Sequence, residues 1–153
     1  MDTRYFDDLH VGDTFVSIGR TITETDLVNF ISYTFFAEEL FTSADYVLNR
    51  SVFKKRIVPG PLTLSLSIGL GTLIGWNRES AMAMLGMDEV RYLAPVVVGD
   101  TIHTELCIVE KKEPAEADRG VVIVGHTVKN QDGQSVLRYT TTRLMKRRAR
   151  SAP

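Results

Sequence analysis

The chain has 153 residues, 44% of them hydrophobic and 24% charged, with a formal net charge of -1. That length is enough for one domain with a real core, and the balance of residue types is that of a globular protein. The near-neutral charge excludes a protein that holds nucleic acid by its overall field, and a lone cysteine, Cys107, excludes an internal disulfide and a cysteine-based metal site.

The N-terminus, Met1-Asp2-Thr3-Arg4-Tyr5, is polar and lacks the apolar centre of an export signal. Leu9-His10-Val11-Gly12-Asp13 reads as a turn into a strand over 14–20. A helix is expected from Thr23, which caps it, with Asp26 as the partner of a capping box. Leu27, Phe30, Ile31 and Thr34 then share one face. Ser43 is placed to cap a short helix carrying Tyr46, Val47 and Leu48. Pro61 suits the first position of a further helix, because the amide hydrogen it lacks is unpaired there anyway.

The run 62–75 is apolar or small on every side, which predicts a helix buried all round. It is too short, and too interrupted by Ser65, Ser67 and Gly69, to span a bilayer, so no membrane role and a cytoplasmic location are expected. Strands follow over 81–93 (one or two, broken near Gly86), 101–111, 120–129 and 135–146. Gly99-Asp100 marks one turn, Asn130-Gln131-Asp132-Gly133 a hairpin, and 113–119 a polar loop. Cys107 reads as ordinary packing.

One long helix followed by antiparallel strands predicts an α+β fold with a curved sheet wrapped around that helix. Such a sheet leaves strand edges open, so pairing of two sheets edge to edge, and hence at least a dimer, is expected. Residues 1–148 are assigned to a single domain and 149–153 to a basic tail. For Lys146-Arg147-Arg148-Ala149-Arg150 two readings stand: a solvated, frayed end, or an arginine that meets a phosphate of a bound cofactor.

Several ordered motifs resemble the MaoC-like dehydratases, which include R-specific enoyl-CoA hydratases. They are Arg20-Thr21-Ile22-Thr23, Asp26-Leu27-Val28-Asn29-Phe30, Ala44-Asp45-Tyr46, Arg56-Ile57-Val58-Pro59-Gly60-Pro61-Leu62-Thr63, Tyr92-Leu93-Ala94-Pro95-Val96-Val97-Val98-Gly99-Asp100 and Asn130-Gln131-Asp132-Gly133. The resemblance implies a hot-dog fold and hydration of a trans-2-enoyl thioester of CoA or acyl-carrier protein, or its reverse. The thioester is the substrate, and no separate cofactor is implied. It also implies an Asp and a His, five residues apart, as base and acid. Aligned on Tyr46, those positions hold Phe36 and Phe41, with Glu38-Glu39 between them, and no histidine lies between Val11 and Ile102.

What the resemblance does supply is Gly60, whose amide at a helix start would hold the thioester oxygen; the other reading of Gly60 is a tight turn before a proline-started helix. Glu38 and Glu39 are the candidates to replace the missing base, since a carboxylate flanked by Phe35, Phe36, Leu40 and Phe41 is raised in pKa if desolvated. A solvated pair on an exposed turn is the alternative. Phe36 and Phe41 are candidates to line an acyl pocket, with Pro59 and Leu62 beside them, or else to serve a core or interface. Arg56, with Lys54 and Lys55, is a candidate phosphate contact or a solvated loop. Tyr33 and Tyr46 read as packing residues with a wet hydroxyl. His10 falls near a turn, His103 points outward, and His126 reads as semi-buried and satisfied; none has a metal-ligand partner at the right spacing.

Three functions from different classes follow: a divergent enoyl-thioester hydratase or dehydratase, a non-catalytic subunit of a heteromeric MaoC-like dehydratase that shapes the acyl tunnel, and an acyl-CoA thioesterase.

Overall fold

The computed structural model describes residues 2–113 and 118–148; the predicted basic tail and most of the predicted 113–119 loop lie outside them. In chain order the elements are a 3-10 turn at Phe6–Asp8, β1 (Thr14–Val16), β2 (Arg20–Thr21), α1 (Glu24–Thr34), α2 (Glu39–Thr42), α3 (Ala44–Asn49), α4 (Gly60–Leu73), β3 (Ala81–Tyr92), β4 (Thr101–Lys112), β5 (Arg119–Lys129) and β6 (Ser135–Lys146). The strands form one antiparallel sheet ordered β1-β4-β5-β6-β3, and β2 also pairs with β4. This is the curved sheet with one long helix expected from the sequence.

The local signals work as chemistry predicts. The Thr23 hydroxyl accepts the Asp26 amide at 3.3 Å, and the Asp26 carboxylate accepts the Thr23 amide at 2.8 Å, closing the capping box of α1. Ser43 caps α3 by accepting the Tyr46 amide at 3.1 Å. In the β5–β6 hairpin the Asn130 side-chain oxygen accepts the amides of Asp132 and Gln134, and Gly133 takes a φ of +76° that favours glycine.

Two expectations need correction, and the choice between one and two strands over 81–93 is decided. The strand over 14–20 is two pieces, because Thr104 donates its amide to the Ser17 hydroxyl rather than to a backbone carbonyl, which interrupts the ladder. The 81–93 region is a single strand with register shifts, one of them between Met84 and Gly86. And α4 is not buried all round: Pro61, Ser65, Gly69 and Thr72 form an exposed stripe. The sheet covers only one side of the helix, so a sequence of small and apolar residues did not require cover on the other.

Burial alternates in β4 as far as Ile108 and throughout β5, with Ile102, Leu106 and Ile108 on the same inward face as Val122, Val124 and Val128. A second packing centre forms where Trp76 stacks on Phe15, ring centroids 5.1 Å apart and 21° from parallel. A polar chain crosses the core: the Ser67 hydroxyl lies 2.8 Å from that of Tyr139 and 3.3 Å from that of Thr104. Beside it His126, 2% exposed, stacks on Tyr139 at 4.3 Å and bonds Thr141 through Nε2. Its Nδ1 is buried with no partner among the described residues, so the expectation of a satisfied histidine holds for one nitrogen only.

Burial, with the nearby Arg143 charge, pulls the His126 pKa from 6.5 down to about 3. The folded protein therefore keeps this ring neutral where the unfolded chain protonates it. Its contribution to stability is complete above pH 6.5 and is lost as pH falls toward about 3. The expected loss approaches about 1.4 kcal/mol per pH unit below the unfolded value. Urea titrations at pH 7 and 5.5, above the carboxylate range, test this, and a His126→Gln variant is expected to flatten the dependence.

The chain ends are clasped together. Arg147 pairs with Asp7 at 3.0 Å and lies over the Phe6 ring at 4.7 Å, with Lys111 also over Phe6 at 4.3 Å. Arg148 forms two hydrogen bonds to Asp8, both 2.9 Å. Arg147 and Arg148 are thus engaged with aspartates, neither frayed nor presented to a phosphate; Arg150 lies outside the described residues. Cys107 is only half-buried, on the outer sheet face opposite Gly125.

Candidate active site

The site grows from the start of α4. The segment before it is held by Val58, whose amide donates to the Val96 carbonyl at 2.7 Å, and by a bridge between Ile57 and Val97. Pro59, buried, then stands as the N-cap. Its carbonyl accepts the amides of Leu62 at 3.0 Å and Thr63 at 3.3 Å, and Pro61 has no amide hydrogen. Of the first-turn donors this leaves the Gly60 amide without a hydrogen bond among the described residues. An unpaired amide at the positive end of a helix is a seat for a carbonyl oxygen that gains negative charge.

That amide borders a pocket of about 470 Å³ lined by Phe36, Glu38, Phe41, Phe53, Gly60 and Tyr92, among others. Thr63 and Val136 also line it, beside the stretch from Leu93 to Val96. The lining is mostly apolar, as an acyl chain requires. Phe41 is buried, and the Phe36 ring packs 5.6 Å from Phe41 and 6.3 Å from Phe30.

Of the residues singled out from the sequence, Phe36, Glu38, Phe41 and Gly60 meet in this pocket. Glu39 does not line it; it opens α2, with its side chain exposed. Glu38 caps α2 through its backbone, its carbonyl accepting the Phe41 amide at 2.9 Å. Its carboxylate is exposed, and no cation pairs with it among the described residues, so the desolvation expected for it is absent from a single copy of the chain. Leu62 is buried but borders a separate groove along α1. Arg56 pairs with Glu24 in the first turn of α1, away from the pocket lining. Tyr33 is exposed rather than packed, and Phe35, in the left-handed region at φ 57°, is 89% exposed.

The residues that sequence reasoning missed are Tyr92 and Thr63. Both sit inside motifs quoted for the family resemblance, but the register that turns Tyr92 toward Gly60 depends on pairing with Leu137 of β6. Among the described residues no group of acidic, histidine or cysteine side chains could hold a metal. No helix among them is long and apolar enough to cross a membrane.

A fold of this kind, with an unpaired helix-start amide opening on an apolar pocket, defines a protein of the hot-dog class. Residues 9–130 match the family described as MaoC like domain, and the chain belongs to that family. It is 31% identical over 104 residues to Protein MaoC of Klebsiella aerogenes, covering 67% of this chain and 30% of that protein. It is 26% identical over 151 residues to mesaconyl-CoA hydratase of Cereibacter sphaeroides, covering 98% and 43%. A solved structure from Archaeoglobus fulgidus, described as a monoamine oxidase regulatory protein, superposes with a TM-score of 0.88 at 33% identity, covering 96% of this chain and 97% of that one. The chain spans less than half the length of the curated relatives it matches.

Proposed function

We propose that the chain adds water to a trans-2-enoyl thioester, or removes it from the corresponding hydroxyacyl thioester, with Glu38 in place of the Asp/His pair that the family resemblance implies. The observation that carries this is the unpaired Gly60 amide opening on an apolar pocket with Glu38 in its lining. The name mesaconyl-CoA hydratase on one relative supports a CoA thioester as the substrate.

In this reading the Gly60 amide holds the thioester oxygen. Glu38 takes a proton from water, the water oxygen bonds to the β-carbon, and the alkene electron pair moves onto the thioester oxygen as an enolate. The protonated Glu38 then returns the proton to the α-carbon, restoring the carbonyl. Dehydration is the same sequence reversed. Phe36 and Phe41, which cannot transfer a proton, shape the acyl channel.

A second copy of the chain is part of the proposal. β3 ends the sheet, and Met82, Met84 and Leu85 are exposed along it. Pairing this edge would bury them.

A second reading, the non-catalytic subunit, is favoured by one feature: the Phe30–Phe36–Phe41 rings occupy the segment where the resemblance places the proton-transfer pair. The test is purified protein on a panel of trans-2-enoyl-CoA substrates, followed by loss of enoyl absorbance, with mass from light scattering. Turnover by a dimer is the expected result. Tight binding without turnover would favour the subunit reading, and release of free thiol would point instead to thioester hydrolysis.

A further inference from the structure

Tyr92 closes the pocket over the first turn of α4. Its ring lies so near Gly60 that a methyl group added to that glycine would meet Cε1 and Cζ at 2.7 Å. Cζ carries the hydroxyl, so the end of the ring that bears the oxygen is the end packed over Gly60. The side chains of the lining that carry oxygen or nitrogen are Glu38, Thr63 and Tyr92. Thr63 is buried, and Glu38 is the base of the proposed reaction. The Tyr92 hydroxyl has no hydrogen-bond partner among the described residues, and the residue, which lines the pocket, is 52% exposed. Packing against Gly60 would be served equally by phenylalanine; the oxygen is the part that packing leaves unexplained. Burial pushes the phenol pKa above its ordinary value, so the group stays protonated and able to donate.

We propose that Tyr92 is a second hydrogen-bond donor to the thioester carbonyl, so that the enolate oxygen is held between one backbone amide, from Gly60, and one side-chain hydroxyl. The inference rests on the enoyl-thioester reading. Tyr92 keeps its proton throughout: the electron pair that reaches the oxygen during water addition returns when the α-carbon is protonated, and the phenol only shares its hydrogen.

Tyr92→Phe removes one oxygen and leaves the ring on Gly60. On an enoyl-CoA substrate kcat is expected to fall about 10- to 100-fold with KM changed little, the signature of a contact that strengthens in the transition state. A second readout does not need turnover. The carbonyl stretch of a bound, carbonyl-labelled enoyl thioester, read by infrared difference spectroscopy, is expected to rise in Tyr92→Phe, because one hydrogen bond to that oxygen is gone. A purely structural role would not move that frequency. Unchanged kcat with an unchanged carbonyl frequency overturns the assignment of Tyr92. A wild type that binds the thioester without turning it over defeats the hydratase reading alone, since the frequency shift still decides Tyr92. A wild type that binds no thioester overturns both.

Discussion

Glu38→Gln is expected to lower kcat for enoyl-CoA hydration by about 10²- to 10⁴-fold, the range for removal of a positioned acid or base. Glutamine keeps the size and polarity of the side chain and removes only its ability to take a proton. Because the carboxylate is exposed and unpaired, its loss breaks no ion pair, and α2 keeps its start, since Glu38 caps that helix by its backbone. A fall in kcat at unchanged thermal stability is therefore a chemical effect. Glu39→Gln is expected to cost less, since that side chain stands outside the pocket lining. Steady-state kinetics on both variants check this; equal losses, or none for Glu38→Gln, would move the base elsewhere.

Trp76→Ala is expected to be the most destabilising single change in the core, at about 3–5 kcal/mol. Trp76 is 1% exposed, stacks on Phe15, and lies among Leu9, Leu106, Ile108 and Met145. It follows Gly75, whose φ of +78° turns the chain out of α4 and drives the indole into the sheet. Its neighbours Phe15, Leu106, Ile108 and Met145 stand on paired strands, so they are expected to close over the lost ring only in part and leave a cavity. For a chain of this size the loss corresponds to roughly 10 °C in melting temperature. Urea unfolding with an unchanged slope and a lower midpoint is the expected signature; a loss under about 1 kcal/mol would mean that the cluster repacks.

What could be read from residues alone was the chemistry that acts over a few positions. The Thr23–Asp26 capping box, the Ser43 cap, the Pro61 helix start and the Asn130 hairpin each depend on neighbours in the chain, and each forms. The alternation of β4 and β5 was equally visible, because one buried face imposes a period of two. The failures involve partners far away in sequence. The exposed stripe of α4 depends on how far the sheet reaches around it. The fate of Arg56 depends on Glu24, a residue 32 positions away. At the site, Phe36, Glu38, Phe41 and Gly60 were named from the sequence and lie together, whereas Tyr92 was passed over because its place above Gly60 is set by sheet register.

The clasp between the two ends sets an order of events for the newborn chain. Asp7 meets Arg147, and Asp8 meets Arg148, each across 140 residues. Phe6 beds against Gly120, where even a methyl group would meet the ring at 2.2 Å. The opening turn therefore lacks part of its bed until β5 and β6 have been synthesised, and contacts of such separation form late because the chain between them must first be ordered. While the ribosome is still short of Arg147, the Phe6 ring lacks the cover that Gly120 and Arg147 give it, and uncovered apolar surface on a nascent protein is the kind that chaperones hold. The turn at Phe6–Asp8 is thus made before β5 and β6 and completed only after them.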